Sequence, residues 1–194
     1  RAVSLDMRGH GESDWAADGD YRVEAFAGDV IDVLSAIGGD LPPAVVGASL
    51  GGLSTWLAIG RAKEPPARAI ALVDIVPGFR GSGVDAIRGF MAANPDGFAS
   101  IDAAADAVAA YLPHRKRPTD TSGLARNLRQ RENGRWYWHW DPQLMSGPLG
   151  LDVPRYREEM VAIARRMQLP VLLVRGSRSR VVTDEGVAIF RELV

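Results

Sequence analysis

The chain has 194 residues, and its 23 Lys and Arg against 24 Asp and Glu leave a formal net charge of −1. A charge this close to zero argues against a dedicated nucleic-acid binder, and the absence of cysteine excludes a disulfide scaffold and thiolate metal sites. No apolar run approaches the roughly 20 residues that span a bilayer, so no membrane partner is expected.

The first part of the chain alternates short apolar runs with helical patterns. Residues 2–5 predict a strand, and apolar residues at helical spacing predict a helix over 23–37 that ends at two glycines. Residues 44–47 predict a short buried strand, 49–59 a helix that starts directly after it, and 69–73 the next buried strand. This alternation is typical of an α/β fold with a parallel sheet.

The stretch 78–154 breaks the alternation. It contains helical patterns over 103–111 and 123–131 and an aromatic run over 136–140, but no convincing buried parallel strand. We therefore expect a helical insertion, here called the cap, between two strands of the sheet. Its aromatic run favours a strand-like segment.

The pattern of the sheet resumes after the cap. A helix over 158–167, a buried strand over 170–174 and a helix from about 184 are expected. The predicted division is a first core part (1–77), the cap (78–154) and a second core part (155–194). Both ends fall inside predicted elements, so we expect a doubly wound parallel sheet that is incomplete at both ends.

Residues 47–52 read Gly-Ala-Ser-Leu-Gly-Gly between a predicted strand and a predicted helix. A G-x-S-x-G motif in that context is a nucleophile elbow, in which a sharp turn presents the hydroxyl of Ser49 at the carboxyl edge of the sheet. Side chains two residues before or after the serine are expected to clash across the turn. The N–H of Leu50 at the helix start is suited to bind an oxyanion. The alternative is a Gly/Ser-rich turn without chemistry.

The loop over residues 6–13, Asp-Met-Arg-Gly-His-Gly-Glu-Ser, lies at the end of the first predicted strand. Together with the elbow and the runs at 72–77 and 172–176, it resembles the α/β-hydrolase superfamily, in the serine branch that carries a helical cap. The resemblance extends to bacterial hydrolases grouped with cofactor-free haloperoxidases and epoxide hydrolases. It implies acyl transfer through Ser49, with no metal and no organic cofactor.

The resemblance leaves the triad acid open. Relatives of this branch carry an Asp in the loop after the late strand, where this chain has Arg180, and an arginine cannot orient a histidine as a carboxylate does. Asp74, at the end of the strand after the elbow helix, is the preferred candidate, and a carboxylate that only caps the cap-entry loop is the alternative. Asp184 and Glu185 are further candidates, although Thr183-Asp184 also reads as a helix start.

The catalytic histidine is expected outside this stretch of sequence. The resemblance places the base after a further strand beyond residue 194, and the second oxyanion donor before residue 1. The three histidines present are His10, in the loop over 6–13, and His114 and His139, in the cap. We expect the two in the cap to be structural or to line a pocket.

Two features of the cap bear on substrate binding. Trp138, Trp140 and His139 are predicted to line an apolar substrate pocket over Ser49, while packing of the cap onto the sheet is the alternative for the aromatic run. Residues 111–135 carry seven Lys or Arg against two carboxylates, which favours either an anionic ligand or a solvated face.

These observations predict a cytoplasmic serine hydrolase of small, fairly apolar esters or related carbonyl compounds. A cofactor-free perhydrolase that uses the same serine is one alternative. The other is a catalytically inactive α/β-hydrolase fold that serves as a binding module, which Arg180 favours. The expected partner is a small-molecule substrate, and the sequence does not specify an oligomeric state.

Overall fold

The computed structural model describes residues 1–79, 81–146 and 153–194. Its centre is a parallel three-stranded sheet in the order β1-β2-β5, formed by β1 (Ala44–Ala48), β2 (Ala69–Val73) and β5 (Val171–Val174). In this register Ala48 lies beside Val73, which lies beside Val174. The carboxyl ends of the three strands are therefore level, which brings the residues that follow them to one edge.

Four helices build the main core against this sheet: α1 (Val23–Ile37), α2 (Leu50–Arg61), α6 (Val153–Ala164) and α7 (Asp184–Leu193). Trp56 of α2 is fully buried, and its indole N–H donates to the carbonyl of Met160 in α6 at 3.1 Å. The sequence predictions for β1, β2, β5, α1 and α2 are confirmed to within two residues, whereas α6 begins five residues earlier than expected. No helix in the described ranges combines the length and apolarity needed to cross a membrane.

An ion-pair network fixes α6 on the first two helices. The guanidinium of Arg61 donates to both carboxylate oxygens of Glu159, at 2.6 and 2.8 Å. The hydroxyl of Tyr156, which is fully buried, donates to Glu24 of α1 at 2.8 Å. The chain that returns from the cap is thus attached to the elements on either side of the elbow.

The segment between β2 and β5 contains helices and a small antiparallel sheet. Its elements are α3 (Gly81–Ala92), α4 (Ile101–Tyr111), a 3₁₀ helix (Ser122–Asn127), β3 (Leu128–Gln130), β4 (Trp136–Trp138) and α5 (Gln143–Ser146). The helical pattern predicted over 123–131 is partly wrong, because Leu128 pairs with Trp138 and becomes buried in the strand pair. Residues 80 and 147–152 of the predicted cap lie outside the described residues, and the proposed domain boundaries stay a prediction.

The strand predicted over residues 2–5 is wrong, since this segment has no regular structure. A strand requires a hydrogen-bonded neighbour, and none of the three strands of the described sheet pairs with this segment. Val3 and Leu5 accordingly remain 53% and 44% exposed. An apolar run alone was insufficient to predict a strand.

The two faces of the sheet differ in burial. Ile70 and Leu72 point into the helical core and are at most 2% exposed, whereas Val46 and Leu172 on the opposite face are 72% and 60% exposed. The predicted α/β class with a parallel sheet is confirmed. In the described part of the chain, however, the four core helices cover one face, and an apolar strip remains open on the other.

Candidate active site

Ser49 occupies the turn between β1 and α2 with a backbone that few non-glycine residues adopt. Its φ of 48° and ψ of −117° lie outside the favoured regions, and its N–H donates to the carbonyl of Val73 at 2.9 Å. The residue is exposed, so the hydroxyl is accessible. Leu50 is the first residue of α2, and its N–H therefore lies outside the ladder of intrahelical hydrogen bonds.

Two glycines make this turn sterically feasible. A Cβ on Gly47 would lie 2.6 Å from the carbonyl oxygen of Gly51, and a Cβ on Gly52 would lie 2.8 Å from the carbonyl oxygen of Gly47. A Cβ on Gly51, by contrast, would meet only the sulfur of Met7 at an ordinary 3.6 Å. The expected clash two residues after the serine is therefore wrong, and the crowding falls at Gly52, which faces β1.

Asp74 follows β2 at the same edge of the sheet. Its N–H donates to the carbonyl of Val174 at 2.8 Å, and its own backbone is left-handed, with a φ of 55°. One carboxylate oxygen lies 3.4 Å from the N–H of Gly176, just after β5. Because neighbouring strands lie about 4.8 Å apart, the register places Asp74 beside Ser49.

The loop after β5 does not offer a second carboxylate at this edge. The guanidinium of Arg180 lies over the ring of Tyr111, 5.8 Å from its centre, and so contacts the cap. Asp184 accepts from Arg175 at 2.5 Å, which lowers the pKa of Asp184, and its side chain is 96% exposed. The helix start predicted at Thr183 is confirmed, because its hydroxyl accepts from the N–H of Gly186 at 3.1 Å.

The loop over residues 6–13 connects the core to the cap. Arg8 donates to both carboxylate oxygens of Asp29 in α1, at 2.6 and 2.5 Å. The N–H of Gly11 donates to the carbonyl of His139 at 2.9 Å, and the N–H of Asp141 donates to the carbonyl of Gly9 at 2.7 Å. The loop is thus held by α1 on one side and by the end of the aromatic run on the other.

A buried pair reinforces this connection. The hydroxyl of Tyr21 donates to Asp141 at 2.5 Å and accepts from the N–H of Ala16 at 2.9 Å, while Asp141 is only 1% exposed. Burial, followed by the hydrogen bond to Asp141, raises the pKa of Tyr21 to about 12. The N–H of Gln143 donates to the other carboxylate oxygen of Asp141 at 2.9 Å, so both residues of the pair have their polar atoms satisfied in the protein interior.

The variant Tyr21→Phe is expected to lose about 2 to 3 kcal/mol of unfolding free energy, because it removes the donor to one oxygen of a buried carboxylate, whose other oxygen accepts from the Gln143 N–H at 2.9 Å. Urea denaturation measures this loss. The matched control is Tyr137→Phe, which removes a half-buried hydroxyl that accepts from Asn133 at 2.9 Å and should cost well under half as much. Equal losses in the two variants would contradict the importance of the buried pair.

The three histidines occupy different surroundings. A ring nitrogen of His10 lies 3.1 Å from the carbonyl of Arg8, and His114 is exposed. His139 is partly buried beside the charges of Arg129 and Asp6. Within the described residues no hydrogen bond joins any of these rings to Ser49, so the described part of the chain does not assemble a serine–histidine pair.

We expect protonation of His139 to lower the free energy of unfolding in mild acid. Burial and then the Arg129 charge lower its pKa despite the opposing effect of Asp6, so the unfolded chain binds the proton more readily. The stabilisation is complete above the unfolded pKa of about 6.5 and is lost as pH falls below it. His139→Gln should lose less stability than the wild type between pH 7.5 and 5 in urea denaturation, whereas the exposed control His114→Gln should follow the wild type.

An aromatic cavity of about 370 Å³ lies in the cap. Trp138 and Trp140 line it, and their rings are stacked with 5.0 Å between centres and 13° between planes. His139 is not among its lining residues. The sequence analysis did not single out Met91, Asn94, Pro95 or Tyr137, which also line the cavity, and it counted Arg131 only as part of a basic stretch.

Ser49 lines neither this cavity nor a second one of about 410 Å³ between the loop over residues 5–18 and α1. The predicted pocket over Ser49 therefore stays a prediction, although two of its residues do form a cavity. Packing, the alternative for the aromatic run, also occurs, since Trp136 and Trp138 pack on Phe98 inside the cap. The described ranges hold no group of three or more His, Asp or Glu arranged for a metal ion.

The chain matches the alpha/beta hydrolase fold family over residues 1–193, and it belongs to that family. It is 32% identical over 195 residues to Esterase Rv0045c of Mycobacterium tuberculosis, covering 96% of this chain and 61% of the relative. It is 33% identical over 104 residues to mouse protein phosphatase methylesterase 1, covering 53% of this chain and 27% of that protein. The chain thus spans about three-fifths of the first relative's length.

Solved structures agree on the fold. A structure of the M. tuberculosis esterase Rv0045c superimposes with a TM-score of 0.68 at 26% identity, covering 97% of this chain and 63% of that one. The structure of E-2-(acetamidomethylene)succinate hydrolase superimposes with a TM-score of 0.78 at 22% identity, covering 97% of this chain and 67% of that one. The second likeness concerns the fold alone.

Proposed function

We propose that this protein is a serine hydrolase that cleaves small carboxylic esters through an acyl-enzyme. The observation that carries the proposal is the positive φ of Ser49 at the β1–α2 turn, which places an accessible hydroxyl on the residue directly before α2. The similarity to an esterase and to a methylesterase supports ester substrates.

In the proposed reaction, the Ser49 hydroxyl oxygen attacks the ester carbonyl carbon while a histidine accepts its proton. The Leu50 N–H donates to the oxyanion of the tetrahedral intermediate, where the charge develops. The intermediate collapses as the histidine returns the proton to the departing alcohol, which leaves an acyl-Ser49 ester. Water then attacks that ester by the same route and releases the carboxylic acid.

Asp74 is proposed as the residue that orients the histidine. Its carboxylate lies at the sheet edge beside Ser49, between the ends of β2 and β5. A histidine carried by sequence beyond residue 194 would complete the triad, as the family resemblance leads us to expect. A carboxylate in this position holds the correct imidazole tautomer and stabilises the imidazolium that forms during attack.

Labelling with a fluorophosphonate tests the nucleophile in the full-length protein. We expect one covalent adduct, located on Ser49 by peptide mass spectrometry, and no adduct in Ser49→Ala. The control is Ser54→Ala, which changes a buried hydroxyl that donates to the carbonyl of Leu50 at 2.8 Å and should leave labelling intact. A folded protein that takes no label, or an adduct on another residue, would overturn the proposal.

A further inference from the structure

We propose that the aromatic cavity in the cap binds an organic monoanion, namely a carboxylate carried on an apolar or aromatic body. The cavity is called the cap cleft below and is lined by Met91, Asn94, Arg131, Tyr137, Trp138 and Trp140 together with Ala92 and two prolines. The claim that such an anion is the substrate of the enzyme rests on the proposed function. The claim that the cleft binds such an anion does not depend on Ser49.

The walls of the cap cleft specify the body of the ligand. Its volume of about 370 Å³ lies within the range of small-molecule sites, which is about 300 to 1,000 Å³. The stacked indoles of Trp138 and Trp140 form one continuous aromatic surface, and Met91 supplies a flexible apolar side chain that adapts to different shapes. Such a surface favours a flat ring or an alkyl chain.

Arg131 specifies the charge of the ligand. It is the single charged residue that lines the described cleft, and within the described ranges no carboxylate pairs with its side chain. The central carbon of its guanidinium lies over the ring of Tyr137, 4.0 Å from the centre. Stacking occupies the face of the guanidinium and leaves its N–H edge free to bind a carboxylate in bidentate fashion.

Two other arginines of the cap differ from Arg131 in that their side chains have hydrogen-bond or ion-pair partners. Arg117 is paired with Asp102 and Asp106, and Arg135 donates to backbone carbonyls of residues 96 and 97. These side chains are already occupied by structural contacts. The donors of Arg131, in contrast to those of Arg117 and Arg135, remain available for a ligand at the cleft.

The cleft is also connected to the nucleophile side of the molecule. Trp140, at one end of the cleft, packs on the buried cluster of Tyr21, Phe26 and Leu144, and Leu50 packs on that same cluster. The residue that follows Ser49 and a wall of the cleft thus pack against the same buried cluster. An ester that carries a remote carboxylate fits this arrangement, with its charged end held at Arg131.

Isothermal titration of full-length Ser49→Ala tests the binding site without turnover. The probes are 4-phenylbutanoate and its neutral isostere 4-phenylbutanamide. We expect the carboxylate to bind about tenfold more tightly than the amide, as one charge-assisted hydrogen-bonded contact provides. Adding Arg131→Gln should remove this preference by weakening the carboxylate alone. Adding Arg126→Gln, an exposed cap arginine outside the cleft, should leave it unchanged.

A second variant tests the walls. Met91→Trp fills the cleft and should weaken both probes alike. Equal affinity for the acid and the amide, a preference that survives Arg131→Gln, or the absence of binding by either probe would each overturn the inference. Because neither probe is hydrolysed, a wild-type protein that cleaves no ester but shows the Arg131-dependent preference would refute the proposed function and leave the binding site standing.

Discussion

Replacing Asp74 by asparagine is expected to lower kcat/KM for ester hydrolysis by about 10⁴-fold in the full-length protein, the loss seen when a triad carboxylate is neutralised. Asparagine preserves the shape of the side chain and its contact with the Gly176 N–H, which lies 3.4 Å from one carboxylate oxygen. It removes the charge that would orient and stabilise a histidine. The loss should fall on kcat, while the fold measured by circular dichroism remains unchanged.

Two variants in the loop after β5 are the controls for Asp74. Asp184→Asn removes an exposed carboxylate at the start of α7, and Arg180→Asp introduces a carboxylate where relatives of this branch have one. Both should retain kcat/KM within the same order of magnitude as the wild type. A large loss in Asp184→Asn together with an active Asp74→Asn would transfer the acid role to α7. An Arg180→Asp variant that rescues Asp74→Asn would support the role of a carboxylate at this edge.

The variant Gly52→Ala is expected to destabilise the protein by about 3 kcal/mol or more and to abolish labelling of Ser49. Its methyl group would lie 2.8 Å from the carbonyl oxygen of Gly47, which is backbone and cannot rotate away. The β1–α2 turn would have to open, and Ser49 would lose its position. Urea denaturation measures the stability, and fluorophosphonate labelling reports on the turn.

The neighbouring substitution Gly51→Ala is the matched control. Its methyl group would meet only the sulfur of Met7, 3.6 Å away, and alanine is favoured over glycine in a helix by about 1 kcal/mol. We therefore expect unchanged or slightly higher stability and normal labelling. If Gly51→Ala proved as disruptive as Gly52→Ala, the steric account of the turn would be wrong.

Local sequence patterns were sufficient to predict most elements of the core. Strand β2 was predicted at its observed bounds, and α1 was predicted over its full length, because a buried apolar run and a 3.6-residue periodicity are local signals. The local pattern gave the wrong secondary structure where strand pairing decides whether a segment is extended. Residues 2–5 have the composition of a strand but no partner in the described sheet, and residues 128–130 extend because Leu128 meets Trp138.

Some residues of the candidate site were likewise predictable from local sequence, and others were not. Ser49, Leu50 and Asp74 were predicted from motifs, because Ser49 and Asp74 directly follow strands whose ends meet at one edge, and Leu50 begins the helix after the elbow. In the sequence, Arg131 was merely one of seven basic residues over 111–135. Its position over Tyr137, six residues away, depends on the turn between β3 and β4, which no composition reveals.

The sequence by itself determined the fold family and the order of the core elements and singled out Ser49 as the proposed nucleophile, since strand-to-helix turns and apolar periodicity are encoded within a few residues. Only the tertiary structure decided which glycines crowd the elbow, which carboxylate reaches the sheet edge and which cation lines the cap cleft. Each of these depends on contacts that form only when a turn closes or two strands pair. Gly47 touches Gly52 across a turn, and Asp74 meets Gly176 across two strands. Such contacts are set by register and packing, which become defined only when the sheet and its helices assemble.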